Sequence, residues 1–388
     1  MKSTTKIRAT ILLALFPMLM ANAAEQLTVQ AVNKLQIART NQTIELSATQ
    51  LAPLGIGNLE LIHIRDSAGK ELLCQAVDTN FDASHTLDEV IFQSDFAPGE
   101  TKSFTITVGK KQKYKKDDYK AYGRFVRERF DDFAWENDLI AHRTYGKALE
   151  TWKREPLTSS AIDIWSKRTS RMVIDEWYMV DNYHADTGDG CDVYSAGSTR
   201  GDGGSGFWSD STLFAPKNFV MSRVLANGPI RVLFELDYDA FDVNGANVSE
   251  TVRIALDAGS QLDHYQVYYK SDNSSPLAPA VGLKKVNSEE KEYAAENGSL
   301  TIWEPMDKNM GMQGVAVIVD PKMLAQQAED KSNNLLVLKP GTNNSFSYWA
   351  GFTWDRAGHI TTPAAWKKYV ANFAQGIQSP IEVCIKNE

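Results

Sequence analysis

The chain has 388 residues, 43% of them apolar and 23% charged. That balance excludes a disordered, collagenous or membrane-embedded protein and leaves room for two or three domains around a large core. The formal net charge of −8 becomes −11 once residues 1–23, which hold three basic and no acidic side chains, are set aside. So acidic a body excludes a general nucleic-acid binder, whose affinity comes from neutralising phosphates.

Residues 1–23 read as a cleavable secretory signal. Lys2, Lys6 and Arg8 precede an apolar run from Ile11 to Met20, and Ala21-Asn22-Ala23 makes a small-x-small cleavage site. The run is too short to span a bilayer, and no cysteine stands near the cut to carry a lipid. A periplasmic or secreted protein without a membrane span is therefore expected. Cys74, Cys191 and Cys384 are too few and too scattered for a disulfide framework.

Residues 24–109 alternate apolar and polar side chains with period two in Leu27 to Val32, Thr43 to Leu46, Leu59 to Arg65 and Ser103 to Val108, with turn residues between. No Trp or Tyr occurs before Tyr114. The segment is expected to form a small all-β domain. Lys110 to Lys120, a charged run poor in apolar residues, reads as an exposed linker. Residues 121–388 contain further strand candidates at Arg231 to Tyr238, Val248 to Leu256, His264 to Tyr269 and Val315 to Val319. Pro321 to Ala328 and Pro363 to Gln375 read as helices. A mainly β fold follows, with the small N-terminal domain leading into a large sandwich.

Residues 121–210 depart from ordinary sandwich sequence. Between residues 120 and 171 there are eleven Lys and Arg against eight Asp and Glu, a locally basic window in an acidic protein. Arginine forks bind carboxylates bidentately and tryptophan faces stack on sugar rings, so an anionic sugar is the natural ligand. His142 and His184 are candidates for proton transfer, with Tyr145, Tyr183 and Tyr194 as acids or orienting groups. Arg143 and Arg168 are candidates to neutralise a carboxylate, Trp135 and Trp165 to form the sugar platform, and His264 to line the site. The glycine-rich stretch from Gly188 to Gly206 reads as a loop able to approach a ligand with its backbone. Asp186, Asp189 and Asp192 within it are oxygen-rich enough to hold a divalent cation such as Ca²⁺, although their spacing is not that of a known calcium loop.

The segments FAWENDLIAHRTYG (133–146), IDIWSKR (162–168), YHADTGDGCDVYSAGSTRGDGG (183–204) and YWAGFTWDRAG (348–358) carry a further signal. Through them the chain resembles a domain-of-unknown-function family of secreted Bacteroidota proteins from polysaccharide-utilisation systems, which includes an ulvan oligosaccharide dehydratase. The resemblance implies a β-supersandwich like that of the galactose mutarotases. It also implies a carbon–oxygen lyase that removes water from the terminal uronic acid of an anionic oligosaccharide, leaving a 4,5-unsaturated sugar. An epimerase or hydrolase on the same substrates, with Glu136 and Asp138 or Asp189 and Asp192 as paired carboxylates, and a non-catalytic glycan-binding protein are the alternatives.

Overall fold

The computed structural model describes residues 26–80, 86–153, 156–341 and 343–386; the expected signal at 1–23 lies outside them. The protein is mainly β, with two layers of antiparallel sheet behind a smaller N-terminal unit. The period-two pattern translates directly into packing. In strand Gln26–Val32 the side chains of Leu27, Val29 and Ala31 turn into the core while their neighbours stay partly exposed. This strand and Thr101–Val108 and Ile62–Asp66 build one sheet. Arg39–Ser47, Glu89–Phe96 and Cys74–Val77 build the facing one, and Leu46, Phe92, Phe104 and Ile106 fill the space between.

One strand lies far from its neighbours in the sequence. Glu382–Lys386 crosses back to pair with Gln26–Val32, with Val32 opposite Glu382 and Thr28 opposite Lys386. The N-terminal sheet is thus closed on that side by the other end of the chain. The Lys110 to Lys120 run crosses the surface, and its Tyr114 hydroxyl donates to the carbonyl of Cys74.

The larger unit rests on an eight-stranded sheet. Its spatial order is Phe219–Asn227, Arg231–Val243, Ala246–Asp257, Leu262–Ser271, Ser345–Trp354, Met312–Val319, Ser299–Pro305 and Glu290–Ala294. Two five-stranded sheets take part in packing against it. One contains Asp202–Ser209, Ala278–Lys284 and Asn333–Leu338. The other, hereafter the site sheet, runs Gly190–Cys191, Asp163–Lys167, Ala141–Thr144, Asp132–Asn137, Ala121–Val126. A single parallel bridge between Ile162 and Gly201 joins these two. Phe133, Trp135 and Ile164 of the site sheet share one core with Phe234, Tyr265 and Phe352 of the wide sheet and with Val281 and Leu336 of the third.

Gly201 shows what the glycine-rich stretch is for. Its φ of +59° is open to glycine at little cost, and a Cβ there would lie 1.9 Å from the carbonyl oxygen of Ile162. The backbone approach expected toward a ligand is made instead toward the protein's own strand.

Two of the helix expectations separate here. Pro363–Gln378 is helical, capped by the Thr362 hydroxyl accepting from the Ala365 amide, with proline at its start. Residues 321–328 are not helical. Leu324–Glu329 is an edge strand paired with Asn333–Leu338, turned by Asp330, whose carboxylate accepts from the Asn333 amide. Pairing at the sheet edge overrides the helix preference of Leu, Ala and Gln. A short helix not expected from the pattern, Ile174–Val180, covers the outer face of the site sheet.

Because Glu382–Lys386 protects the edge of Gln26–Val32, ending the chain at Ser379 should lower the thermal midpoint and promote association through the exposed edge. Differential scanning fluorimetry with light scattering checks this; an unchanged midpoint and a monodisperse protein would show the strand to be dispensable.

Candidate functional site

Strand alternation divides the informative residues between two faces of the site sheet. On Ala141–Thr144, His142 turns inward to the shared core and its neighbour Arg143 outward, beneath the Ile174–Val180 helix and the loop that follows. The two side chains, both candidates for the site, therefore face opposite ways.

Arg143 is the centre of the outer face. It is 4% exposed, and its Nε donates to Asp163 Oδ2 at 2.8 Å while Nη2 donates to Asp192 Oδ2 at 2.9 Å. Asp132 Oδ2 lies 3.6 Å from Nη1, and the Tyr145 hydroxyl donates to the same Asp163 oxygen at 2.8 Å. The guanidinium also stacks near the rings of Trp165, Tyr183 and Tyr145. Burial opposes its charge, but Asp192 and Asp163 outweigh that and hold it firmly protonated. Charge does not balance: Arg143 and the neighbouring Arg129 face three carboxylates. Burial, with the like charge of Asp163, accordingly pushes Asp192 upward against the pull of Arg143, and burial pushes Asp132 up to about 7.

His184 stands at the open end of this cluster. Its side chain is 57% exposed, its ring lies against that of Tyr183, and Nδ1 is 3.0 Å from the backbone carbonyl of Asp192 and 3.6 Å from its carboxylate. Both neighbours are acceptors, so Nδ1 carries the proton and Nε2 presents its lone pair to solvent. Arg143 holds Asp192, and Asp192 sets the tautomer of His184.

On the inner face, His142 is fully buried. Its Nε2 lies 3.1 Å from Asp263 Oδ2, and Trp135 donates to Asp263 Oδ1 at 2.7 Å. Burial works to lower the His142 pKa, but Asp263 outweighs it and the net shift is upward. Nδ1 lies 3.2 Å from the carbonyl of Asp163, so a chain of polar contacts crosses the sheet from His184 to Asp263. Asp202 lies among these groups with no exposure and no hydrogen bond to either carboxylate oxygen; burial pushes it up to about 8 against the pull of His142.

Several expected roles are corrected. Trp135 and Trp165 have no exposed surface and cannot serve as a sugar platform. Arg143 is buried and ion-paired with the protein's own carboxylates, which closes it to a substrate's. His142 is sealed in the core, and Tyr145 is committed to Asp163. Arg168 is exposed, outside the Arg143 cluster, and pairs with Asp186. His264 faces the other side of its strand from Asp263, stacked on Trp349, where burial and Arg231 lower its pKa to about 4. Asp186, Asp189 and Asp192 do not converge on a cation: they pair with Arg168, Arg171 and Arg143 respectively. No group of three His, Cys, Asp or Glu side chains among the described residues is placed to hold a metal ion. Glu136 is closed off in a buried pair with Lys167 at 2.6 Å, and Asp138 accepts from the Gly259 amide. Tyr183 lies buried beneath His184, whereas Tyr194 lines a small pocket together with Glu304. Asp163, Asp202 and Asp263 were missed. The available signal was acidic residues at the inward or covered positions of otherwise apolar strands.

The fold is that of a two-layered β-supersandwich protein. The sequence profile of the family described as a domain of unknown function, DUF4861, matches residues 32–383, and the chain belongs to that family. An uncharacterized protein of Formosa agariphila is 31% identical over 378 residues, covering 94% of both chains. Among solved structures, a protein in glycosyl hydrolase family 38 from Enterococcus faecalis superposes on 95% of this chain with a TM-score of 0.53 at 10% identity. An alpha-mannosidase from the same organism gives 0.54, also at 10% identity. The chain spans 48% and 46% of those two proteins, and the likeness is one of fold. No described helix is long and apolar enough to cross a membrane.

Two predictions follow from the charges. Arg143→Gln leaves three buried carboxylates without their shared cation and should cost about 3–5 kcal/mol of stability, measured by urea unfolding; a loss below about 1 kcal/mol would mean the cluster is not held together by Arg143. For Asp202, a folded pKa near 8 lies above the unfolded value, so its contribution to stability is full below about pH 4 and is lost as pH rises from there toward 8. Asp202→Asn stays neutral, and its gain in thermal midpoint should be larger at pH 8 than at pH 5; an equal effect at both would contradict the shift.

Proposed function

We propose that this protein is a glycan-processing enzyme, a carbon–oxygen lyase that removes water from the terminal uronic acid of a short anionic oligosaccharide of the ulvan type. The observation that carries the reading is the His184 ring: exposed, anchored through Nδ1 on Asp192, with the Nε2 lone pair free in solvent. This is the arrangement a general base needs, and membership of the family together with the shared carbohydrate-enzyme fold supports a sugar as its target. In the reaction His184 Nε2 takes the C5 proton, and the C–H electron pair forms the C4–C5 double bond. The C4–O bond breaks, and the departing hydroxyl takes a proton from Tyr194 and leaves as water. Solvent then carries the proton from His184 back to the tyrosine.

Tyr194 is two residues beyond Asp192 along the chain, and its buried hydroxyl has no hydrogen-bond partner among the described residues, whereas that of Tyr145 is committed to Asp163; the role of acid therefore falls to Tyr194. An acidic body repels a long polyanion, whereas a short oligosaccharide needs to reach the exposed histidine alone. Incubation of the protein with a panel of uronate oligosaccharides, followed by mass spectrometry, should show loss of one water per molecule. His184→Ala should lower that turnover by about 10²–10⁴ while leaving binding intact, the usual consequence of removing a general base. Full turnover in His184→Ala, or binding without any product in the wild type, would overturn the proposal, the latter in favour of a glycan-binding protein.

A further inference from the structure

The run from Lys110 to Lys120 does more than connect two units. Four of its side chains, Lys111, Gln112, Tyr114 and Tyr119, wall a cavity of about 250 Å³. Glu60 and Gln75 line it from the N-terminal unit, Leu225 and Asn227 from the edge strand of the wide sheet. Hydrogen bonds fix these walls. Gln75 Oε1 accepts from the amides of Ile230 and Arg231 at 2.9 and 2.8 Å, and its Nε2 donates to the Arg231 carbonyl. The Asn227 side chain bonds both backbone groups of Gly123, and the Tyr114 hydroxyl ties the run to Cys74. A cavity held this way is formed before a ligand arrives, so little ordering opposes binding.

The cavity lies off the Ala121–Val126 edge of the site sheet, whereas the loop that carries His184 lies off the Gly190–Cys191 edge. Four strand spacings of about 4.8 Å separate those edges, so the two places are distinct. We infer that the cavity is a second carbohydrate site, which takes one neutral sugar ring. Its volume falls just below the roughly 300–1,000 Å³ of ordinary ligand pockets, enough for a single ring and not for a chain. Lys111 donates to Glu60 at 2.7 Å, so the wall presents a donor and an acceptor side by side, the pattern that two neighbouring hydroxyls complete. Tyr119, 42% exposed and edge-on to Tyr114, joins Leu225 and Pro229 in offering apolar surface to the C–H face of the ring. Charge decides against an acid. With Glu60 met by Lys111, Asp78 leaves the wall negative, and the other lysines of the run do not line it. A uronate is therefore not its ligand, and the inference stands whether or not the proposed lyase reaction occurs.

Isothermal titration of the full-length protein with D-glucose, D-galactose, D-mannose and D-xylose tests this site. At least one of the four should bind at millimolar concentration, and D-glucuronate should not displace it. Tyr119→Ala should weaken that binding by about tenfold, the scale of one aromatic contact, and Glu60→Gln should weaken it as well. Tyr119 and Glu60 stand at the surface, and an unchanged thermal midpoint in both variants would confirm that the fold is intact. His184→Ala should leave binding of the neutral sugar unaltered. Absence of binding by all four sugars, displacement by glucuronate, or undiminished binding in Tyr119→Ala would overturn the site. Binding lost in His184→Ala but kept in Tyr119→Ala would also overturn it, since the sugar would then sit at the histidine. Loss of water from uronate oligosaccharides is measured separately, so failure of the lyase reading leaves this result untouched.

Discussion

A single guanidinium, shut inside the protein with more negative charge than it can neutralise, sets the geometry of everything around it. Arg143 lies within ion-pair distance of Asp132, Asp163 and Asp192, so it ties two neighbouring strands and the returning loop to its own strand. Buried ion clusters are poor sources of net stability, because desolvation offsets most of the attraction. What such a cluster supplies is position. Here the positioned group is Asp192, and through it the ring of His184.

The site sheet is polar on both faces, which is unusual for a sheet covered on both sides. On the outer face charges are exchanged among Arg143, Lys167, Glu136 and three aspartates, and on the inner face His142, Asp263 and Asp202 lie in the shared core. Asp202 is the least compensated of these, since neither of its oxygens is hydrogen-bonded. A fold under selection for stability alone has no use for such a group. Its position in the segment between the exposed histidine and the wide sheet ties the polar interior to the candidate site.

The β architecture was legible because period-two alternation is a local signal, and strands such as Gln26–Val32 and Ala246–Asp257 bury the side chains that alternation selects. The crossing of Glu382–Lys386 to the N-terminal sheet was not legible, since nothing local names a partner some 350 residues away. At the site, His184 was chosen for its chemistry and lies exposed to solvent, whereas Tyr194 is buried against a small pocket. Arg143 was chosen for the same reason and proves to be a structural cation, because the sequence does not reveal whether a charge is already met from within. Trp135 and Trp165 illustrate the same limit: composition marks the window as aromatic, and only packing decides whether a ring faces sugar or core.

The central claim is that Arg143, acting through Asp192, holds His184 with its proton on Nδ1 and a free lone pair on Nε2. Nitrogen-15 NMR of the histidine rings, assigned by comparison with His184→Ala, reads the tautomer directly. The account predicts the Nδ1–H form for His184 in the wild type and a shift toward a mixture of tautomers in Arg143→Gln; an Nε2–H form in the wild type would contradict it.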